Sequence, residues 1–377
     1  MRQHILPFAL AMALSACSLT PALVKPDAPV PVHFPSSNEA DLRANAADLR
    51  WKAVFSDPRL QRLIELALAN NRDLRLAVLN VEAAQAQYGI QRSGQFPAID
   101  VNASAARQRG DSNGTGATTG TQLGLGLGIS AFEIDLFGRT RSLSDAALSR
   151  YLASEQGQKA AQITLIGAVA DAYHAELLAQ EQLKLAQQTL TDWQQSLDLA
   201  RRLKAANQNS GLEVSQAEGQ VATAEADLEA RTRTRAQARN ALQLLVGTAI
   251  PADLPPAPML DELPRQALPA GLPSDLLTRR PDILQAEHNL RAANADIGAA
   301  RAAFFPRLSL TTSLGYSSSE MGKLFDSGSR VWSFAPQLTV PIFNAGRLRS
   351  ELRLAEVRTS SAVAEYERAI QTAFREV

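Results

Sequence analysis

The chain of 377 residues has a single cysteine, no net charge, 5% aromatic residues and, between Ala98 and Ile250, no proline. Each absence excludes something. One cysteine, Cys17, rules out an intrachain disulfide and any site built from several thiolates. Because 38 Lys and Arg are matched by 38 Asp and Glu, there is no basic surplus to displace counterions, and nucleic acid is not an expected partner. The apolar stretch from Ile5 to Leu14 is too short to cross a bilayer as a helix. The prolines cluster outside the gap, five between Pro21 and Pro35 and seven between Pro251 and Pro273. A span of about 150 residues without a helix breaker points to very long helices in place of compact layers.

What is present begins with a secretory signal at residues 1–16: Arg2, the apolar stretch, then small residues. It ends in Leu14-Ser15-Ala16-Cys17, which resembles the bacterial lipobox, so Cys17 is the expected site of acylation, palmitate included. Ser18 is not the aspartate that retains lipoproteins at the inner membrane, which favours the outer membrane. Residues 17–50 read as a lipid-anchored, Pro-rich segment without a core of its own.

Self-comparison uncovers a duplication. Asp73 to Pro97 aligns without gaps to Asp282 to Pro306 at an offset of 209, with ten of 25 positions identical, among them Gly89/Gly298, Arg92/Arg301 and Pro97/Pro306. A second block follows at offset 208, pairing Ile134/Ile342, Gly138/Gly346, Arg139/Arg347 and Ser142/Ser350. In each copy the periodicity changes at a Phe-Pro pair. Before it, apolar residues recur at helical spacing, as in Leu74, Ala77, Val81, Ala84 and Tyr88. After it they alternate: Ile99, Val101, Ala103, Ala105, then Leu123, Leu125, Leu127, Ile129, Ala131. The second copy repeats this as Leu308, Leu310, Thr312, Leu314, Tyr316 and as Trp332, Phe334, Pro336, Leu338, Val340, Ile342. The expected β-hairpins, 98–136 and 307–343, carry polar loops from Arg109 to Gly120 and from Ser317 to Arg330.

Strands of about ten residues with one apolar face fit a membrane barrel. Gly124, Gly126 and Gly128 lack the third glycine of a nucleotide fingerprint and read as one face of a strand, where a backbone or a lumen comes close. Asn113-Gly114-Thr115 matches a glycosylation pattern that a Gly/Thr-rich loop reproduces by chance. Four strands cannot close a barrel, and no open edge stands in lipid. Two copies would give eight strands and little lumen; three would give twelve and a pore.

A helical hairpin is expected over 139–247. Its first arm, Arg139 to about Ala206, would be roughly 100 Å long. Its seam reads Leu165, Ala172, Ala179, Ala186, Trp193, Ala200 and Val169, Leu183, Leu190, Leu197, broken at Glu176. The second arm reads Val214, Val221, Leu228, Leu242 and Ala217, Ala224, Ala238, Leu245, interrupted by Arg231 and Arg235. The two should pair as an antiparallel coiled coil, the interrupting charges marking a wet second face. Gly247 and Pro251 end it.

The segment Asp275 to Ser313, with Trp332 to Arg349 and Phe132 to Arg141, resembles the TolC/OprM family of outer-membrane efflux channels, in its lipoprotein (NodT-like) branch. The resemblance implies a mainly α fold with membrane β: a duplicated helix-strand-strand-helix repeat whose long helices form a periplasmic tunnel. Four strands per chain would enter a twelve-stranded barrel in a homotrimer. The first repeat is 51–250, a Pro-rich linker 251–274, and an incomplete second repeat 275–377. Implied partners are a periplasmic adaptor (membrane fusion) protein, an inner-membrane transporter and outer-membrane lipid. The adaptor would dock at the hairpin tip Ser210, Gly211, Leu212. The function implied is a passive exit duct of a tripartite pump, associated with multidrug resistance. The alternatives are a structural coiled-coil envelope lipoprotein and the outer-membrane component of a type I protein secretion system.

Since Gly346 is followed by only 31 residues where Gly138 is followed by a whole hairpin, about 80 residues of the second copy, gate included, are expected beyond Val377, in a form of about 460 residues. No cofactor, metal or catalysis is expected. His4, His33, His174 and His288 are scattered, without a zinc spacing or a G-x-S-x-G elbow.

Overall fold

The computed structural model describes residues 19–31, 50–110, 118–259 and 277–377. The signal peptide, Cys17, His4, His33, residues 32–49, Asn113-Gly114-Thr115 and most of the 251–274 linker lie outside the described residues. In chain order the elements are α1 (Trp51–Val54), α2 (Pro58–Asn70), α3 (Arg72–Ser93), β1 (Asp100–Gly110), β2 (Thr118–Ile134) and α4 (Arg139–Ala205). These are followed by α5 (Gly211–Val246), α6 (Pro281–Ala302), β3 (Arg307–Ser318), β4 (Arg330–Thr339) and α7 (Arg347–Glu376).

The duplication is structural. Helices α3 and α6 are each 22 residues long, their starts 209 apart; α4 and α7 start 208 apart, each after a glycine at positive φ, Gly138 at +75° and Gly346 at +85°. A side chain there would carry the left-handed strain that glycine avoids.

The chain forms two compact units. One comprises Pro31–Asn80 and Gly157–Pro281, with Val377. Its core draws Leu60, Leu63, Ile64 and Ala67 from α2, Leu165, Ile166, Val169, Ala170, Tyr173 and Leu177 from α4, and Leu242 and Val246 from α5. The α2 residues recur at i, i+3, i+4 and i+7, one helical stripe, and each large side chain so buried contributes roughly 1.5–3 kcal/mol. Asp57 accepts from the Arg59 amide at 2.8 Å, capping α2, and takes the Tyr173 hydroxyl at 2.6 Å. Burial, with that bond second, pushes the Tyr173 phenol well above its ordinary pKa. The end of α5 docks where α2 meets α3: Asn71 donates to the Leu245 carbonyl at 2.9 Å. A Cβ on Gly247, itself at φ +75°, would lie 2.5 Å from the Asn70 carbonyl oxygen.

Above this core α4 and α5 pair antiparallel, tied by Arg201 to Glu218 at 2.8 Å and by Arg231 to Gln182 at 3.1 Å. Every expected apolar seam position of α5 is buried or half-buried. One expectation is corrected: Trp193, an expected seam residue, is 38% exposed. Of the interrupting charges, Glu176 is buried and Arg231 and Arg235 are half-buried, with Arg231 donating to Asp227 and Gln182.

The other unit comprises Met1–Val30, Val81–Gln156 and Asp282–Glu376. Its centre is α6, where Ile283, Leu290, Ala292, Ala295, Ile297, Gly298, Ala299 and Ala302 are buried. Arg150 of α4 forms an ion pair with Asp296, and Phe137 stacks on Phe305 with ring centroids 4.7 Å apart. Residues 19–25 form a strap along α6. Asn294 donates to the Pro21 carbonyl at 2.9 Å, Arg301 to that of Leu19 at 3.5 Å, and Thr20 and Ser142 share a hydroxyl bond at 3.2 Å. Lys25 pairs with Glu287 at 2.6 Å. Burial works to raise the Glu287 carboxyl, but Lys25 and Arg291 outweigh it and hold it below its ordinary range. The repeat is asymmetric here: α3 has no buried residue.

Gly298 makes the strap fit, since a Cβ there would lie 2.1 Å from Thr20 Oγ1, whereas one on the equivalent Gly89 meets nothing within 4 Å. Gly298→Leu is therefore expected to release the strap, raising hydrogen exchange over residues 19–25 about tenfold. Gly89→Leu should leave that exchange unchanged. Equal protection in the two variants would refute the fit.

Candidate functional site

The sheet runs β1-β2-β3-β4, all antiparallel, within one unit. Its register sorts the alternating residues onto two unlike faces. Val101 faces Leu127, Ala103 faces Leu125, Leu127 faces Leu314, Leu314 faces Trp332 and Leu308 faces Leu338. These form one apolar face, on which Val101 and Trp332 are 69% and 75% exposed. The opposite face carries Asn102, Ser104, Gly124, Gly126, Gly128, Ser313, Gly315 and Ser333. The glycines there let backbones close up. A Cβ on Gly126 would stand 2.9 Å from the Leu314 carbonyl oxygen, and one on Gly315 would stand 2.4 Å from that of Leu125. Gly315 escapes a search for glycine motifs because its partner lies about 190 residues away; only the register exposes the pair.

Three details differ from the alternation expected along the chain. A bulge between Ile129 and Phe132 breaks it, so Phe132 and Ile134 continue the apolar face and Ala131 does not. Ala131 sits at φ +49° and donates its amide to Thr311 Oγ1 at 3.1 Å, the re-aiming that a bulge accomplishes. β4 ends at Thr339, leaving Val340 and Ile342 beyond it. Strands also extend into the expected loops, β1 reaching Gly110 and β2 starting at Thr118. At the helix end of the sheet Arg139 grips Glu133 with two bonds of 2.9 and 2.7 Å, and Asp135 accepts from the Arg141 amide at 2.8 Å at the start of α4. The outer edges of β1 and β4 are unpaired among the described residues.

Ser210, Gly211 and Leu212 come together where α4 turns into α5. Asn207 takes positive φ, +59°. Ser210 caps α5 by accepting from the Glu213 amide at 3.4 Å, and Asn209 accepts from the Ser210 amide at 2.8 Å. Gly211 lies beside Lys204, and a Cβ there would make ordinary contact with its Nζ at 3.6 Å. Leu212 is 68% exposed, an apolar side chain at the turn of a polar hairpin.

The histidines do not assemble. The His174 ring is tilted 50° to that of Tyr173, with ring centroids 5.6 Å apart. Burial lowers the pKa of His288, whose Nδ1 finds no partner among the described residues. Among those residues no three His, Cys, Asp or Glu side chains converge as a metal site would require. No helix among them is long and apolar enough to cross a membrane.

Comparison with known proteins agrees with this architecture. The model of a family described as outer membrane efflux protein matches residues 63–248 and 272–377. The chain is 48% identical to the solvent efflux pump outer membrane protein SrpC of Pseudomonas putida, the match covering 100% of this chain and 82% of that protein. It is 47% identical to outer membrane protein OprJ of Pseudomonas aeruginosa, covering 98% and 77%. The open-state MtrE outer membrane channel of Neisseria gonorrhoeae superposes with a TM-score of 0.86 at 42% identity, covering 96% of this chain and 80% of that one. The chain belongs to the outer membrane efflux protein family.

Proposed function

We propose that this chain is the outer-membrane duct of a tripartite efflux pump, a passive channel and not an enzyme, whose cargo is delivered by an energised transporter. The observation that carries the reading is the four-stranded sheet. One face is apolar and exposed, the other is lined with Gly, Ser and Asn, and both edges are unpaired among the described residues. Every unpaired backbone group in lipid costs several kcal/mol, so such a sheet is stable in a bilayer only when further copies close it. In this reading three chains supply twelve strands, with the apolar face toward lipid and the glycine face toward a polar lumen. Relatives are named for solvent, toluene and antibiotic efflux, and small toxic organic compounds are the cargo we assign to this chain. Purified protein in planar bilayers is expected to conduct ions, and its gene to restore solvent or drug tolerance to a strain lacking redundant channels. A protein that inserts without conducting and restores nothing refutes the duct.

The hairpin turn is the proposed adaptor contact. Leu212 supplies an apolar anchor held by the Ser210 cap, the kind of residue that fills a pocket on a partner. Leu212→Asp is expected to lower drug tolerance at least tenfold with unchanged oligomer and conductance, while crosslinking to the adaptor is lost. Retained crosslinking would remove the turn from the interface.

Cys17 is the proposed lipid anchor. The strap supports it, because Leu19, two residues on, is held by Arg301 near the end of α6 from which β3 departs. Cys17→Ala should abolish incorporation of labelled palmitate in growing cells. Undiminished label in that variant would place the acyl chain elsewhere.

A further inference from the structure

The charge on the apolar face of the sheet is all of one sign and all at one end. Among the described residues its charged side chains are Arg107 and Arg109 on β1 and Arg330 on β4. The register sets Arg107 opposite Thr121, Arg109 opposite Thr119 and Arg330 opposite Tyr316, so all three lie toward the loops and away from the helices. The sheet's carboxylates, Asp100 and Glu133, occupy the other face at the helix end, the latter already held by Arg139. Arg107 and Arg109 are exposed and, two residues apart on one strand, have Cα atoms about 7 Å apart. No carboxylate pairs with either, or with Arg330, among the described residues. Arg107 stands diagonal to Leu123 on the neighbouring strand, and an anion between the two like charges offsets their repulsion.

The height of the cluster says which anion. Along β3 the apolar face runs from Leu308 to Tyr316, about 26 Å of strand, or about 20 Å of membrane thickness at a 40° tilt. This approaches the full apolar band of an outer-membrane barrel. Tyr316 and Trp332 sit at its loop end, the place of an aromatic girdle. The arginines therefore stand at the level of lipid headgroups, above the acyl chains that cover the apolar residues. Guanidinium forks match phosphate oxygens two at a time.

We propose that Arg107 and Arg109, with the hydroxyls of Thr119 and Thr121 across the strand pair, form a binding site for the phosphate of an anionic lipid headgroup in the outer leaflet. The occupant is a lipid and not free phosphate, because the cationic end continues directly into the acyl-contacting surface. This rests on the reading of the apolar face as lipid-facing. It adds a fixed ligand to a face that otherwise contacts lipid without preference.

The full chain, purified in detergent and weighed intact by native mass spectrometry, tests it, with lipid A carrying its phosphates, the dephosphorylated form, and inorganic phosphate as probes. The phosphorylated lipid is expected to bind at least tenfold more tightly than the dephosphorylated one. R107Q/R109Q should erase that preference, while R353Q, which removes an exposed charge from α7, should keep it. Equal binding of the two lipids, an unchanged preference in R107Q/R109Q, or inorganic phosphate binding as tightly as the lipid would each overturn the site. So would loss of the oligomer by R107Q/R109Q in lipid-free detergent, which would assign the arginines to carboxylates of a second copy. Planar-bilayer conductance separates the two readings: a wild-type chain that conducts without lipid preference fails only here, whereas one that does not insert fails as a channel.

Discussion

Backbone hydrogen bonding in a solvent that offers none is the constraint on which the rest of this molecule turns. A sheet whose exposed face carries Val101, Leu127, Trp332 and Phe334 belongs in lipid, and there an unpaired edge is far costlier than in water. Four strands per chain leave two such edges. The proposed closure by three copies resolves them. It also gives the Gly and Ser residues of the opposite face a purpose, since small side chains keep open a lumen that larger ones would fill. The bulge at Ala131 serves the same end, keeping Phe132 and Ile134 on the lipid side where strict alternation would have turned them inward.

Below the sheet, one repeated sequence is used in two environments. Helices α3 and α6 have the same length and matching glycines, yet α6 is buried over much of its surface and α3 nowhere. One difference is the strap: Leu19, Pro21 and Lys25 lie on α6, where Gly298 meets Thr20 while the equivalent Gly89 meets nothing. The exposed copy leaves Leu76, Leu79 and Ile90 open. A duplicated element thus becomes a centre in one copy and a surface in the other, without a change of secondary structure.

The helical hairpin solves a different problem. An alanine-rich seam brings two helices close, and close helices leave little room for the long charged residues that interrupt it. Arg231 is accommodated by reaching Asp227 on its own helix and Gln182 on its neighbour. Arg235 leaves its Nε without a partner among the described residues, a desolvated group in a seam that hydrophobic residues would fill more stably. The hairpin is fastened at its base by a core shared among three helices, where Asp57 both caps α2 and anchors Tyr173.

Much of the architecture was legible along the chain, because the period of apolar residues and the places of Gly and Pro are local properties. The switch from helix to strand at each Phe-Pro pair, the end of α5 at Gly247, the turn at Asn207 to Ser210 and the duplication all follow from residues near one another in sequence. The candidate turn residues were legible for the same reason. The burial of Glu176, the exposure of Trp193, the bulge at Ala131 and the contact of Gly126 with Gly315 were not, since each depends on which residue of a distant segment stands opposite. Along the chain the long helices, the four strands, their repetition and the alternation of each strand up to the bulge of β2 could be read; α2, absent from that reading, is defined by its place in a three-helix core. The docking of residues 19–25 on α6, and the placing of the arginines of β1 and β4 toward one end of one face, come from tertiary contacts. Register and docking are settled by pairing between segments tens to hundreds of residues apart, on which local periodicity carries no information.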